Sequence, residues 1–191
     1  MTLQRGSTGL AFGWAPLITG AEWLARRQLK RRSSAWLVAY TGLAILALVA
    51  GARVRYSGSR RQRARGVAWP GLVLATVGYP LGRRLFGDRP SVPPPDPLLH
   101  ELVAIEAVAA AEELTWGAIV EPAFGGWFTA VLFGAKHVLV DGRWRRGPGL
   151  FLFWWGLSAE RRRNAVRALV AHALLNAIGV IRGHHGRRDQ F

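Results

Sequence analysis

The sequence predicts an all-α protein, a polytopic transmembrane helical bundle of about five to six membrane segments. Three observations carry this. Half of the 191 residues are hydrophobic and only 19% are charged, with a mean hydropathy of +0.13. The charge is clumped: 26 Lys and Arg against 11 Asp and Glu, net +15, sit in arginine-rich blocks separated by nearly charge-free stretches. That is the pattern of loops flanking membrane helices. The apolar runs also lack the period-two alternation of barrel strands.

So apolar a chain is not disordered. Its pI of 11.8 raises the question of nucleic acid. Membrane-flanking arginines facing anionic headgroups account for the charge, so no nucleic-acid partner is expected. There is no cysteine, which excludes disulfide and thiolate chemistry. The Ala, Gly and Arg bias suggests a high-GC bacterial coding sequence, and no cleavable signal pattern opens the chain. The expected location is the bacterial cell membrane, multi-pass.

The elements follow in order. Gly9 to Ala25 is apolar but interrupted by Pro16 and Glu22, a broken span or an interfacial helix. Ala35 to Ala52 is charge-free and nearly long enough to cross ~30 Å of hydrocarbon. Arg53 to Gly66 is an arginine-rich loop, and Val67 to Leu81 a second apolar run, closed by Arg83, Arg84 and Arg89. The SVPPPDP stretch at 91–97 cannot continue a helix. It separates N-terminal membrane segments (1–97) from a core (98–182), followed by a basic, mobile tail (183–191).

Within the core, Leu98 to Val120 is one helix, and a turn near Glu121 leads into Pro122 to Val140. Leu150 to Leu157 is apolar, aromatic and short. Trp154 and Trp155 suit an interfacial belt, and Arg161 to Arg163 a helix-end anchor. Asn164 to Ile181 is the last segment. By the positive-inside rule, the slight excess of basic residues around 26–32, 83–89, 143–146 and the tail puts the C-terminus in the cytoplasm.

The core spends polar groups where a membrane protein can least afford them. Glu101, Glu106, Glu112 and Glu113 fall on one arc of roughly 140°. Val103, Ala107, Ala110, Leu114 and Gly117 form the opposite, lipid-facing side. An acid deep in a bilayer costs on the order of 3 kcal/mol, so these helices must hide theirs. Phe133 and His137 are i and i+4 on the next helix, where Gly126, Ala130 and Gly134 form a small-residue row for close helix packing. His172 and Asn176 are i and i+4 on the last. A carboxylate beside an imidazole can take a proton from water, and a second imidazole and an amide can stabilise an oxyanion. One depth constraint follows. With a turn near Glu121, Glu112 and His137 would be offset by about 10 Å along straight helices, so a kink, an unwound stretch at Gly125–Gly126 or helix tilt must remove the mismatch.

Glu112-Glu113, Phe133-x-x-x-His137 and His172-x-x-x-Asn176, in that order on separate apolar segments, resemble the motifs of the CAAX protease and bacteriocin-processing family of intramembrane glutamic endopeptidases. The resemblance covers roughly residues 98–182. It implies an endopeptidase acting on a membrane-associated substrate, a prenylated protein or a peptide precursor. Glu112 and His137 would activate water, His172 and Asn176 would stabilise the oxyanion, and Glu113 would orient the site, with no metal or cofactor. The family carries arginine four residues after the second glutamate; here Gly117 stands there, preceded by a matching aromatic, Trp116. The spacing from Glu113 to His137 is also short for the family.

Two other readings use the same residues. Two histidines and a carboxylate are a legitimate catalytic zinc set, which would make the chain a zinc-dependent membrane metalloprotease. A non-catalytic immunity-type or scaffold protein would keep the residues without turnover, which Gly117 favours. His184 and His185, adjacent in the tail, have no third ligand in sequence and are read as incidental.

Overall fold

The computed structural model describes residues 5–28, 33–50, 52, 66–88 and 97–188. Residues 91–96 of SVPPPDP, the 53–65 loop and the end of the tail lie outside them. The described residues form helices and no strand, as the absence of alternation requires. α1 spans Arg5–Gln28, α2 Ser33–Val49 and α3 Trp69–Leu85. α4 begins at Leu98–Glu112, widens into a π-helical stretch over Glu113–Val120 and ends with Glu121–Phe124. α5 is Gly126–Asp141, α6 Gly147–Arg161 and α7 Ala165–Arg188, with a 3₁₀ turn at Trp144–Arg146 before α6.

Local chemistry sets the ends. Pro70 and Pro148 sit in the first turns of α3 and α6, where their missing N–H is not needed. Gly142, left-handed at φ 66°, closes α5 by donating to Val138 O, a glycine C-terminal cap. The turn expected near Glu121 comes later. α4 runs on to Phe124 and stops at Gly125, with φ 79° and ψ 159°, a conformation essentially reserved for glycine. That break, at one of the places anticipated for removing the depth mismatch, starts α5 in its new direction. α7 continues through the supposed tail to Arg188, and His184 Nδ1 lies 3.9 Å from Glu101 Oε2, so 183–188 is helix rather than a loose end.

α3 and α6 cross most closely, along Gly71, Ala75, Gly78 and Gly82 on one side and Gly149, Leu152 and Gly156 on the other. A β-carbon at Gly156 would meet Gly71 O at 2.4 Å and Ala75 N at 2.6 Å. Small faces of this kind let backbones touch. Gly126 against Ser158 and Gly134 against Gly147 do the same between α5 and α6, as the small-residue row predicts. Gly156→Ala is therefore expected to push α3 off α6 and cost about 1–3 kcal/mol. Gly20→Ala in α1, with nothing within 4 Å, should be neutral or stabilising. Thermal unfolding of the two variants side by side checks this.

The hydrophobic core joins both halves of the chain: Trp14 and Ile18 from α1, Ala47 from α2 and Ala75 from α3 pack with Trp116, Phe133, Phe153 and Trp154. Trp154 is fully buried and stacked on Phe133 at 4.2 Å between centroids, not part of an interfacial belt; Trp155 remains exposed. Gly117, expected toward lipid, is buried, because the π-helical turns break the 100° phase on which that face was drawn. One helix among the described residues, over Ala165–His184 with mean hydropathy 1.4, is long and apolar enough to cross a membrane; Ser34–Val49 is a shorter apolar helix.

Candidate functional site

The site lies where α4 changes from α- to π-helix, a feature that recurs at functional positions. Glu112 ends the α-helical part and Glu113 opens the widened part. Both are buried. Their side chains feed two ion-pair systems that meet at His172.

The first system is centred on Glu112. Lys136 of α5 donates to Glu112 Oε1 at 2.6 Å and reaches both oxygens of Glu22 on α1 at 3.0 and 3.1 Å. The ammonium also sits 4.6 Å over the Phe133 ring and 5.6 Å over that of Trp116, a favourable place for a cation. His137, the next residue, holds Nε2 3.5 Å from Glu112 Oε1 and Nδ1 3.5 Å from Asp141 Oδ2. Neither ring nitrogen has a direct hydrogen bond among the described residues. The Phe133 ring braces this imidazole at 4.9 Å between centroids, so the i, i+4 spacing read from the sequence does place the pair together.

The second system is centred on Glu113. Arg161, at the end of α6, grips it with a two-point fork: Nε to Oε2 at 2.8 Å and NH2 to Oε1 at 2.7 Å. The remaining arm of Arg161 donates to Glu121, which also accepts from Ser158 Oγ at 2.8 Å. The guanidinium lies 4.4 Å over Trp154. Such bidentate, stacked pairing is what arginine does and lysine cannot. Arg161 is thus a buried site residue and not a helix-end anchor. Arg163 is the outer one, donating to Gly66 O and Val67 O.

His172 joins the systems. Its Nδ1 is 2.9 Å from Glu113 Oε1 and its Nε2 3.5 Å from Glu112 Oε2. A carboxylate only accepts, so Glu113 holds the proton on Nδ1 and aims Nε2 at Glu112.

Of the residues singled out in the sequence, Glu112, Glu113, His137 and His172 come together. Asn176 does not join them by any direct contact. One turn beyond His172, it lines a neighbouring cavity of about 620 Å³ between α3, α4, α6 and α7. Phe153, whose ring is 5.0 Å from that of His172, forms part of the wall between the two. Glu22, Lys136, Arg161 and Glu121 were not foreseen as site residues; in the sequence Glu121 reads only as a turn. Glu22 and Lys136 are charges inside apolar runs, which is itself a signal of a buried partner. Arg161 was hidden within a run of three arginines.

Gly117 makes room for Arg161. A β-carbon there would stand 2.8 Å from Arg161 Nε and 3.1 Å from Glu113 Oε2. The guanidinium arriving from α6 fills the space a side chain at 117 would need.

Chemically, a buried carboxylate lies between two imidazoles and an ammonium, on an aromatic floor. One water between Glu112 and His137 could touch both. Among the described residues no group of three or more His, Cys, Asp and Glu side chains is arranged to hold a metal. The Lys136 ammonium on Glu112 sets a like charge where a divalent cation would bind. No protein-family model, curated protein or solved structure matches the chain.

Proposed function

We propose that the protein is a membrane-embedded peptide hydrolase in which Glu112 and His137 activate a water. The observation that carries this reading is the meeting of Glu112, His137 and His172, from three helices, with a nitrogen of each histidine 3.5 Å from a Glu112 oxygen inside an apolar bundle. Buried ionisable groups are costly enough that such convergence favours function. The exterior supports the membrane setting and several spans: Val38, Val49, Trp69, Leu85, Leu99 and Leu139 are each about two-thirds exposed or more, apolar surface suited to lipid.

In this mechanism the water oxygen attacks the peptide carbonyl carbon and passes its proton to Glu112, with His137 sharing the transfer. Lys136 faces the same space and stabilises the developing oxyanion, and His172 joins it as the imidazolium, in which Nε2 carries a proton to donate while Nδ1 stays on Glu113. Lys136 has three donors, of which Glu22 and Glu112 engage two. Collapse of the tetrahedral species breaks the C–N bond, and the proton held by the Glu112–His137 pair goes to the leaving amine. Glu113, fixed by Arg161, is a positioning residue acting through His172.

The test is hydrolysis of lipid-anchored and membrane-spanning peptides by the purified protein in detergent, with and without a strong chelator. Cleavage that survives the chelator is expected. Loss on chelation with recovery on adding zinc would favour the metalloprotease. A second reading, a non-catalytic scaffold, draws on the pairing of each central carboxylate with a cation; it predicts no cleavage under any condition.

A further inference from the structure

The arginines that the sequence assigns to one membrane face converge on the cavity that Asn176 lines. Arg83 from the end of α3, Arg143 and Arg146 from the turn before α6, and Arg182 from late in α7 border it, against two carboxylates, Asp88 and Glu101. Asp88 ties down Arg83 at 2.9 Å and Arg143 at 2.5 and 3.0 Å. Arg146 pairs with Asp141 at 2.6 Å and Tyr79 OH at 3.2 Å. Arg182 has no ion-pair partner among the described residues. The forks are thus held in place with donors left over, since each guanidinium carries five.

The rest of the wall is apolar: Ile105, Phe153, Leu175 and Ile178. Beside the arginine end, Trp144 and Phe86 are exposed and stacked edge to face at 6.3 Å, the aromatic signature of a membrane interface.

We infer that this cavity binds one anionic phospholipid, its phosphate on the arginines and an acyl chain along the α4 and α7 wall. The inference rests on the membrane reading above and not on catalysis. Its volume, about 620 Å³, is that of a small-molecule site. Charge complementarity selects the ligand: guanidinium forks match phosphate. Basic pockets between helices on the cytoplasmic side are where anionic headgroups bind, and the positive-inside reading puts this end of the bundle on that side. The site would seat a lipid one aromatic ring away from His172.

Native mass spectrometry of the full chain, released from detergent containing phosphatidylglycerol or phosphatidylcholine, tests this. One phosphatidylglycerol should be retained and phosphatidylcholine lost. Arg146→Gln with Arg182→Gln should weaken retention by about tenfold or more, the loss of charge-assisted phosphate bonds. Ile178→Trp, which leaves every ion pair in place, should obstruct the acyl wall and also release the lipid. Equal retention of phosphatidylcholine, wild-type retention by Ile178→Trp, or glycerol phosphate binding as tightly as the lipid would each overturn the assignment. Recovery of the protein from membranes by alkaline carbonate alone would instead refute the membrane reading, so the two failures are told apart.

Discussion

Glu112→Gln is expected to lower peptide hydrolysis by roughly 10² to 10⁴, the usual contribution of a general base, with the fold intact. The amide oxygen can still accept from Lys136, now 2.6 Å from Glu112 Oε1, and Glu22 still balances the ammonium. Removing the charge therefore leaves no buried ion unpaired, and thermal unfolding should move little. Turnover and stability separate in this variant because the carboxylate has one task that the amide cannot do, taking a proton from water. Equal loss of stability and turnover would make Glu112 a structural ion-pair partner.

Arg161→Ala is expected to do the opposite and strike stability first. It leaves Glu113 and Glu121 buried without their cation, a loss of about 3–5 kcal/mol, and frees His172 from the carboxylate that orients it. The informative experiment is the exchange of sites. Gly117→Arg alone overfills the space, since its β-carbon meets Arg161 Nε at 2.8 Å. Combined with Arg161→Ala, the new guanidinium enters the vacated space beside Glu113. The double variant should be more stable and more active than either single one, a non-additivity of the kind expected for residues sharing one partner. Arg161→Lys keeps the charge, loses the fork and should fall between wild type and Arg161→Ala. Additive damage in the double variant would mean that Arg161 does not take the place of a side chain at 117.

The bundle and three of its site helices were legible because helical periodicity is local. The pairs Phe133–His137 and His172–Asn176 needed only a 3.6-residue turn to be placed on their faces. The break at Gly125 was legible only as one of three ways to remove the depth mismatch, and the turn itself was expected near Glu121, four residues too early. What escaped depended on distant partners. Glu22 lies 114 positions from Lys136, and nothing near either residue announces the other. Arg161 reads as one of three identical anchors until α6 is packed against α4. Gly117 was drawn on the lipid face with a constant helical phase, which the eight-residue π-helical stretch of Glu113–Val120 does not keep. Asn176 shares the face of His172, but that face spans two compartments divided by Phe153, and spacing alone does not say on which side of a ring an amide falls.

The central claim is that Glu112 and His137 direct water onto a peptide bond. Mass spectrometry of cleavage products formed in ¹⁸O-water with a chelator present tests it most directly. Single-turnover products should carry one solvent oxygen in the new carboxylate, and Glu112→Gln should form almost none. The claim is contradicted if labelled product accumulates at the wild-type rate in Glu112→Gln, or if the folded wild-type protein cleaves no membrane-anchored peptide.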